Sequence, residues 1–434
     1  MRFPRALLRT PRGAAWYLVH RVTEEGAWLG RLVVAVLDHL SRGQPRQQAT
    51  ELAYGTVKWT LYLNWVLQQT VHGGLARLDP RVRSLLRLGA YQVLKGRVPA
   101  YAAVHETVRL ARRAIPEATS LVNAVLRRLS QGVPEAPHPW IAWSVPRWLY
   151  LRWQQRWGEE RLLQWLRYYH SPPPLYVRVN TLQVARDTLL SYLQARGVQV
   201  EPVSWPPETL KLDRHPWEIP DLPPSWYYVQ DRATQALAHL VAPEPGQWVV
   251  DLAAAPGGKA THLAALMGNQ GRVIAVDLHA GRLQTLQRVA HRLQASIVRP
   301  IQADGRTLAL QRPVHRVLLD APCTGLGTLR RKPEILLRLR PERIHHLAQL
   351  QKELLRNAAR LLAPGGRLVY ATCTTEPEEN EAQVEALLRA FPGLRLLPAP
   401  DLVPADWTEG PYFRSRGPEH DCDEIFGAVL LHPG

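Results

Sequence analysis

Through residues 4–131, apolar side chains return every three or four positions, the spacing that lines one face of an α-helix. The repeats fall at 14–22, 29–40, 48–69, 81–94, 103–114 and 118–129, with proline or glycine between several of them. Amphipathic helices joined by short connections predict a compact bundle. The stretch GVPEAPHP at 132–139 interrupts the pattern and reads as a linker. A tryptophan-rich helical segment follows at 143–169. Its indoles suit packing in a core or between domains better than stacking on bases.

The period changes after the prolines at 172–174. LYVRVN at 175–180 alternates as a strand, a helix is expected over 185–196 and a second strand near 198–203. Together they predict a small α+β unit that ends in the proline-rich loop at 219–224. From residue 227 strands and helices alternate. A helix at 230–240 leads into an apolar run ending at Asp251, and further strands are expected at 272–276, 296–301, 316–319, 367–370, 394–397 and 425–431. Helices are expected near 282–292, 341–362 and 378–391. This order describes an α/β domain built on a largely parallel sheet. The expected division is 1–132, 140–225 and 226–434.

Chemistry collects at the ends of these strands. VVDLAAAPGGK at 249–259 reads as strand, small-residue turn and helix start, and the next strand closes on Asp277. Two such β-α units form a ligand crevice at the carboxyl edge of a parallel sheet. The glycine spacing matches neither a P-loop nor GxGxxG, so phosphate is not the obvious ligand. Asp277 is placed to accept from ribose hydroxyls. Asp304, after the third strand, can reach an adenine amino group, or cap a helix or steady its loop. Lys259 at the helix start either orders the turn or meets a ligand or a nearby acid. Cys323 follows Asp320-Ala321-Pro322, and Cys373 follows the strand at 367–370. Each cysteine alone reads as a small buried residue. Paired at the edge that carries the crevice, they point to thiol chemistry.

Charge adds a partner. The net charge is +17, and residues 1–140 hold 20 Lys and Arg against 8 Asp and Glu, an excess of 12. A basic helical domain suits nucleic acid or another polyanion, although an arginine-biased proteome would also produce the excess. The three cysteines form no CxxC pair, which argues against a disulfide scaffold or a structural zinc site, so no metal is expected. No apolar run is long enough to span a membrane. The basic start MRFPR is not followed by an apolar segment with a cleavage site, so a cytoplasmic protein is expected.

Several segments together carry a resemblance: Gln230-Asp231, AAAPGGK at 253–259, Asp277, ADG at 303–305, DAPCTGLGTLRRKPEI at 320–335 and ATCTTEPEENE at 371–381. The chain resembles the bacterial Sun/Fmu family of 16S ribosomal RNA cytosine-C5 methyltransferases, within the wider NOL/NOP/Sun group. ATELAYGTVKW at 49–59 and LVNAVLRR at 121–128 are similar to the NusB RNA-binding fold. The resemblance implies a multidomain chain: an N-terminal all-α NusB-like bundle, a small α+β subdomain, and a C-terminal α/β Rossmann-like class I methyltransferase domain. It implies S-adenosylmethionine as methyl donor. Ala253, Ala254, Ala255, Pro256, Gly257, Gly258 and Lys259 then line its methionine part, Asp277 holds the ribose, Asp304 lies by the adenine, and Arg282 and Asp320 complete the cofactor set. Cys373 is the implied nucleophile, Cys323 the residue that helps break the covalent adduct, and Asp320 borders the reaction centre. The implied partner is 16S ribosomal RNA, free or in early assembly, and the chain is expected to be a monomer.

The implied chemistry explains two thiols. C5 of cytosine is a poor nucleophile, and a thiolate adding at C6 makes C5 electron-rich. Asp320, if protonated, can hydrogen-bond N3 as charge develops on the ring. Loss of the C5 proton, to Cys323 or a water, releases the sulfur. A paired target base would have to be unstacked first. Arg330, Arg331 and Lys332 suit RNA phosphates, and Asn380 is expected to order the loop behind Cys373. The sequence departs from the family with Ala253 for a usual Cys, His291 for a usual Asn, and Asp423-Glu424-Ile425-Phe426 where Asp-Gly before Phe-Phe is usual. Cys422 has no implied role. Two other readings stand beside this one: the same chemistry on tRNA or another RNA, and a non-enzymatic RNA-binding assembly factor.

Overall fold

The computed structural model describes residues 5–433, so most of the basic start at 1–5 lies outside the described residues. The chain folds into two compact units. One runs up to Ser171 and takes in Leu329–Leu339; the other comprises Pro172–Thr328 and the chain from Arg340 onward.

In the first unit, α1 (Pro11–Thr23), α2 (Leu29–Leu37), α3 (Gln44–Lys58), α4 (Thr60–Thr70), α5 (Pro80–Leu94), α6 (Ala100–Ala114) and α7 (Thr119–Ser130) surround one apolar core. The single helix expected at 48–69 is two, because Trp59 leaves helical geometry at φ −90°, ψ 7°. Thr10 and Asp79 cap α1 and α5 with side-chain oxygens that accept from Gly13 and Arg81 backbone N–H groups. Glu24 is held by Arg83 and Arg87, an ion cluster nearly closed to solvent at the foot of α5. After the short α8 (Pro139–Ala142), the long α9 (Arg147–His170) kinks at Gly158, whose φ of 75° suits a residue without a Cβ. Trp153 and Trp165 are buried and tilt together at 4.7 Å, so these indoles serve packing.

The end of α9 gathers cations. Lys58 Nζ donates to the carbonyls of Tyr169 at 3.0 Å and Ser171 at 3.2 Å, the unpaired acceptors of a helix C-terminus. Burial, with Arg330 and Arg331 nearby, lowers Lys58 to about 7. Arg330 is buried as well: its guanidinium lies 4.2 Å from the Tyr168 ring centre and Nε donates to Ser171 O at 3.3 Å. This corrects the expectation that Arg330 stands free for RNA phosphates; Lys332 is exposed. Further along this segment, Glu334 accepts from the Leu29 N–H at 2.9 Å, and Arg338 donates to the carbonyls of Val22 and Ala27.

The second unit contains two sheets. The small one pairs β1 (Leu175–Val179), β2 (Val200–Pro202), β3 (Thr209–Leu212) and β4 (Tyr227–Val229) antiparallel, in the order β2-β3-β1-β4, over α10 (Arg186–Gln194). β3 and β4 are too short to show a period in the sequence, and β4 extends the small sheet past residue 226. α11 (Arg232–Val241) then opens the large sheet: β5 (Trp248–Asp251), α12 (Gly258–Leu266), β6 (Arg272–Asp277), α13 (Ala280–Arg292), β7 (Val298–Gln302), β8 (Val314–Asp320), α14 (Pro341–Arg360), β9 (Leu362–Thr372), α15 (Glu381–Ala390), β10 (Arg395–Leu397), β11 (Thr408–Glu409), β12 (Tyr412–Arg414) and β13 (Phe426–Leu431). Among the described residues its order is β11-β12-β13-β9-β8-β5-β6-β7, with β10 on β13. β5 to β9 are parallel, and β13 lies antiparallel to β9. Strands buried on both faces account for the continuous apolar runs Val249-Val250 and Val317-Leu318-Leu319. The strand order reverses at β5, between β6 and β8, and a ligand crevice belongs at the carboxyl ends of strands at such a point. No helix of the described residues is long and apolar enough to cross a membrane.

Candidate functional site

The turn after β5 owes its shape to two glycines. Gly257 has φ 108°, a conformation other residues rarely adopt. A Cβ on Gly258 would sit 2.8 Å from the Tyr228 ring. Arg178, from β1, is fully buried and clamps the helix start: it donates to Gln230 Oε1 at 2.6 Å, Gly258 O at 2.5 Å and Thr261 Oγ1 at 3.0 Å. Burial lowers Arg178 to about 10, a cost that these bonds offset. The small sheet therefore braces the turn through one side chain that sequence reasoning missed; its only signal was an arginine inside an apolar strand.

Acids ring this turn at the strand ends. Asp251 is wholly buried, and burial raises it to about 7 against the opposing pull of Lys259 and of the Ala253 backbone N–H. Lys259 Nζ lies 2.7 Å from Asp320 Oδ2. Burial would lower Lys259, but Asp320 and Asp251 more than reverse this and keep the ammonium charged. Asp277 is buried; its Oδ1 accepts from His279 N at 3.0 Å and its Oδ2 meets Arg282 at 3.2 Å. Arg282 also donates to Ala255 O at 2.7 Å, tying the turn after β5 to the end of β6. Asp304 stands apart from this ring of contacts: it accepts from the Arg306 backbone at 2.9 Å and side chain at 2.6 Å, so it steadies its own loop. The hydrogen bonds from Arg306 lower its pKa. His291 is exposed on α13.

The two cysteines meet. Asp320 and Ala371 are register partners across β8 and β9, and the chains leaving them bring the sulfurs of Cys323 and Cys373 to 3.3 Å. That is a thiol contact and not a disulfide of about 2.05 Å. The Cys323 thiol is pushed well up, first by Cys373, then by burial and by the acids Glu379 and Asp320. Either sulfur can be the donor in this contact, and the Cys373 N–H also donates to Cys323 Sγ at 3.3 Å.

Glu379, also missed in the sequence, joins the two loops. Its Oε1 accepts from Thr324 N and Gln351 Nε2, both at 2.9 Å, and its Oε2 from Thr324 Oγ1 at 2.5 Å. Thr324 Oγ1 also contacts Thr374 Oγ1 at 2.6 Å. Asn380 completes the Cys373 side, donating to Thr374 O at 3.0 Å and accepting from Thr372 at 2.5 Å. Gly327 N donates to Cys373 O at 2.9 Å, and Glu424 N to Gly327 O at 2.9 Å. A Cβ on Gly327 would fall 2.0 Å from Glu424 O, so the segment with the unusual Asp-Glu-Ile-Phe sequence packs directly behind the cysteines. Cys422 is buried in the apolar core.

A parallel sheet that reverses at its first strand, a glycine turn beneath it and acids closing β5, β6 and β8 define a Rossmann-like class I methyltransferase fold. Comparison with known proteins is specific. Residues 238–431 match the family described as 16S rRNA methyltransferase RsmB/F, residues 9–131 the NusB family, and residues 145–216 the ferredoxin-like domain of RsmF/B-like methyltransferases. Ribosomal RNA small subunit methyltransferase B of Pseudomonas syringae pv. tomato is 35% identical over 402 residues, 89% of this chain and 88% of its own. The enzyme of that name from Pseudomonas putida is 34% identical over 401 residues, 89% and 91%. The crystal structure of PH0851 matches with TM-score 0.84 at 27% identity, covering 99% of each chain. The chain belongs to the ribosomal RNA small subunit methyltransferase B family, whose methyl donor is S-adenosylmethionine.

Proposed function

We propose that this protein methylates C5 of a cytosine in 16S ribosomal RNA through a covalent bond between Cys373 and C6. The observation that carries the reading is the 3.3 Å contact of two thiols beside an acid that closes a strand of the same sheet edge.

The residues at the crevice fit the methyl donor. Gly257 and Gly258 keep side chains off the turn, and the Asp277 carboxylate has lone pairs left for ribose hydroxyls. Ala253 to Lys259, Asp277 and Arg282 would hold it, with Asp320 at its reactive end; Asp304, engaged by Arg306, would act through loop shape. S-adenosylmethionine, when bound, supplies an electrophilic methyl group.

The chain's own groups do the rest. Cys373 attacks C6 as a thiolate, forming the S–C6 bond and placing electron density on C5. Lys259 holds one oxygen of Asp320 and leaves the other for the base, where it can accept from the exocyclic amino group or share a proton with N3 as the ring gains charge. Once Cys373 is bonded to the base, the largest influence that keeps Cys323 protonated is gone. Cys323 then becomes a stronger candidate to take the C5 proton as the S–C6 bond breaks, which restores the aromatic ring and returns Cys373 as thiolate. The basic helical unit supplies RNA affinity through its excess of arginine.

The test uses purified protein, S-adenosylmethionine and 16S rRNA transcript, with adducts followed on denaturing gels and methylated positions mapped by bisulfite sequencing. Cys373→Ala is expected to lose both adduct and product, and Cys323→Ala to accumulate adduct. Adduct retained in Cys373→Ala, or product on tRNA with none on 16S rRNA, would overturn the proposal.

A further inference from the structure

A second group of reactive side chains lies in the second unit, away from the cysteines. Glu208 precedes β3, His239 sits on the last turn of α11, and His262 lies on α12 one turn past Gly258. His239 Nε2 is 2.9 Å from Glu208 Oε1 and 3.1 Å from Oε2, and His262 Nε2 makes an ion-pair contact with the same Oε1. The imidazoles stand nearly perpendicular at 80°, their centres 5.5 Å apart. Three donor atoms, one from each residue, lie within 4.8 Å of one another.

His262 is 2% exposed; its Nε2 faces Glu208 Oε1, and its Nδ1 has no hydrogen-bond partner. One buried carboxylate oxygen thus faces two imidazole nitrogens, a convergence of donors that a hydrogen bond to either ring alone does not require. Two histidine nitrogens and one carboxylate are a common donor set for zinc, and the second carboxylate oxygen or a water can supply the fourth donor.

We propose that Glu208, His239 and His262 bind a divalent transition-metal ion, zinc by the nature of its donors. Arg178 does not contact Glu208, since its guanidinium is taken up by Gln230, Gly258 and Thr261. The ion would fasten β3 of the small sheet to α12, the helix that carries the glycine turn, and its role would be structural.

The test is a metal titration of the full chain after dialysis against a chelator. With Co²⁺, about one equivalent is expected to give the visible absorption of a tetrahedral ion, which Zn²⁺ abolishes by displacement. Zn²⁺ should also raise the melting temperature. Glu208→Gln and the half-buried His239→Ala should lose both responses, while the double variant Cys323→Ser, Cys373→Ser keeps them. Absence of both responses in the unmodified chain would overturn the proposal. So would binding that survives Glu208→Gln and His239→Ala, or that disappears with the two cysteines and carries thiolate-to-cobalt charge-transfer absorption.

Discussion

Replacing Glu379 by alanine should separate the two cysteine loops without touching either sulfur. The change removes the acceptor for three donors, Thr324 N, Thr324 Oγ1 and Gln351 Nε2. Hydrogen bonds to a charged acceptor contribute about 1.5–3 kcal/mol each, so the gross loss is about 4.5–9 kcal/mol. Part of this is offset, because burial disfavours the Glu379 carboxylate and raises its pKa. A net loss of about 4 kcal/mol remains, equivalent to a fall in melting temperature of ~8–16 °C for a unit of this size. Sulfur placement should suffer as well, and an error of about 1 Å in a reacting group costs roughly 10²-fold in rate. Glu379→Gln keeps one oxygen for Thr324 N and Gln351, while Thr324 Oγ1 can turn its proton to Thr374; its loss should be about 1 kcal/mol, with adduct formation within a few-fold of the parent. The assays are differential scanning calorimetry and the rate of adduct formation on 16S rRNA transcript. Wild-type melting and rate in Glu379→Ala, or glutamine as damaging as alanine, would refute the account of Glu379 as a hydrogen-bonding tie. The pH dependence is a second check. Since folding raises the Glu379 pKa, the folded chain holds more protons just above the ordinary glutamate range, and this group's contribution to stability falls as pH rises through that window. Glu379→Gln should flatten that slope.

Gly327→Ala puts a Cβ 2.0 Å from Glu424 O and 3.1 Å from Cys373 O, so adduct formation should drop by about 10²-fold in a protein whose far-ultraviolet circular dichroism is unchanged. Arg178→Met leaves Gln230, Gly258 O and Thr261 without their donor and should cost about 3 kcal/mol in stability, with weaker binding of S-adenosylhomocysteine by calorimetry. Glu24→Gln leaves Arg83 and Arg87 without their anion and should destabilise the helical unit by about 3 kcal/mol at pH 7. Burial would raise Glu24, but the two arginines hold its folded pKa below the unfolded one; its contribution is therefore present above the ordinary glutamate range and lost as pH falls through the folded value. Acid unfolding monitored by circular dichroism should be shallower in the variant.

The parallel sheet and the crevice at its edge were legible in the sequence because acids close its apolar strands directly; the strand order was not. Asp251, Asp277, Asp320 and Cys373 are all strand-end residues, and parallel strands bring such ends to one edge. The residues that tie them together were not legible. Glu379, Gln351 and Thr324 come from three different elements, and only the packing of α14 against β8 and β9 unites them. The same holds for Glu208, His239 and His262, whose spacing follows no metal-ligand pattern along the chain. Arg330 misled for a related reason: a basic triplet looks solvent-facing until aromatic Tyr168 and the open carbonyls at the end of α9 are found beside it. β3 and β4 escaped notice because three or four residues cannot display a period.

Glu334 and Arg338 have a consequence for how the protein is made. They satisfy backbone groups of Leu29, Val22 and Ala27, yet they are translated some three hundred residues later. The helical unit therefore cannot finish folding while the ribosome is still within the methyltransferase sequence before Leu339. A fragment cut at the apparent boundary near Ser171 would carry those groups unsatisfied and the C-terminal carbonyls of α9 short of one cation. A chain that has completed its helical unit has already emerged past Cys323, while Cys373 is still to come.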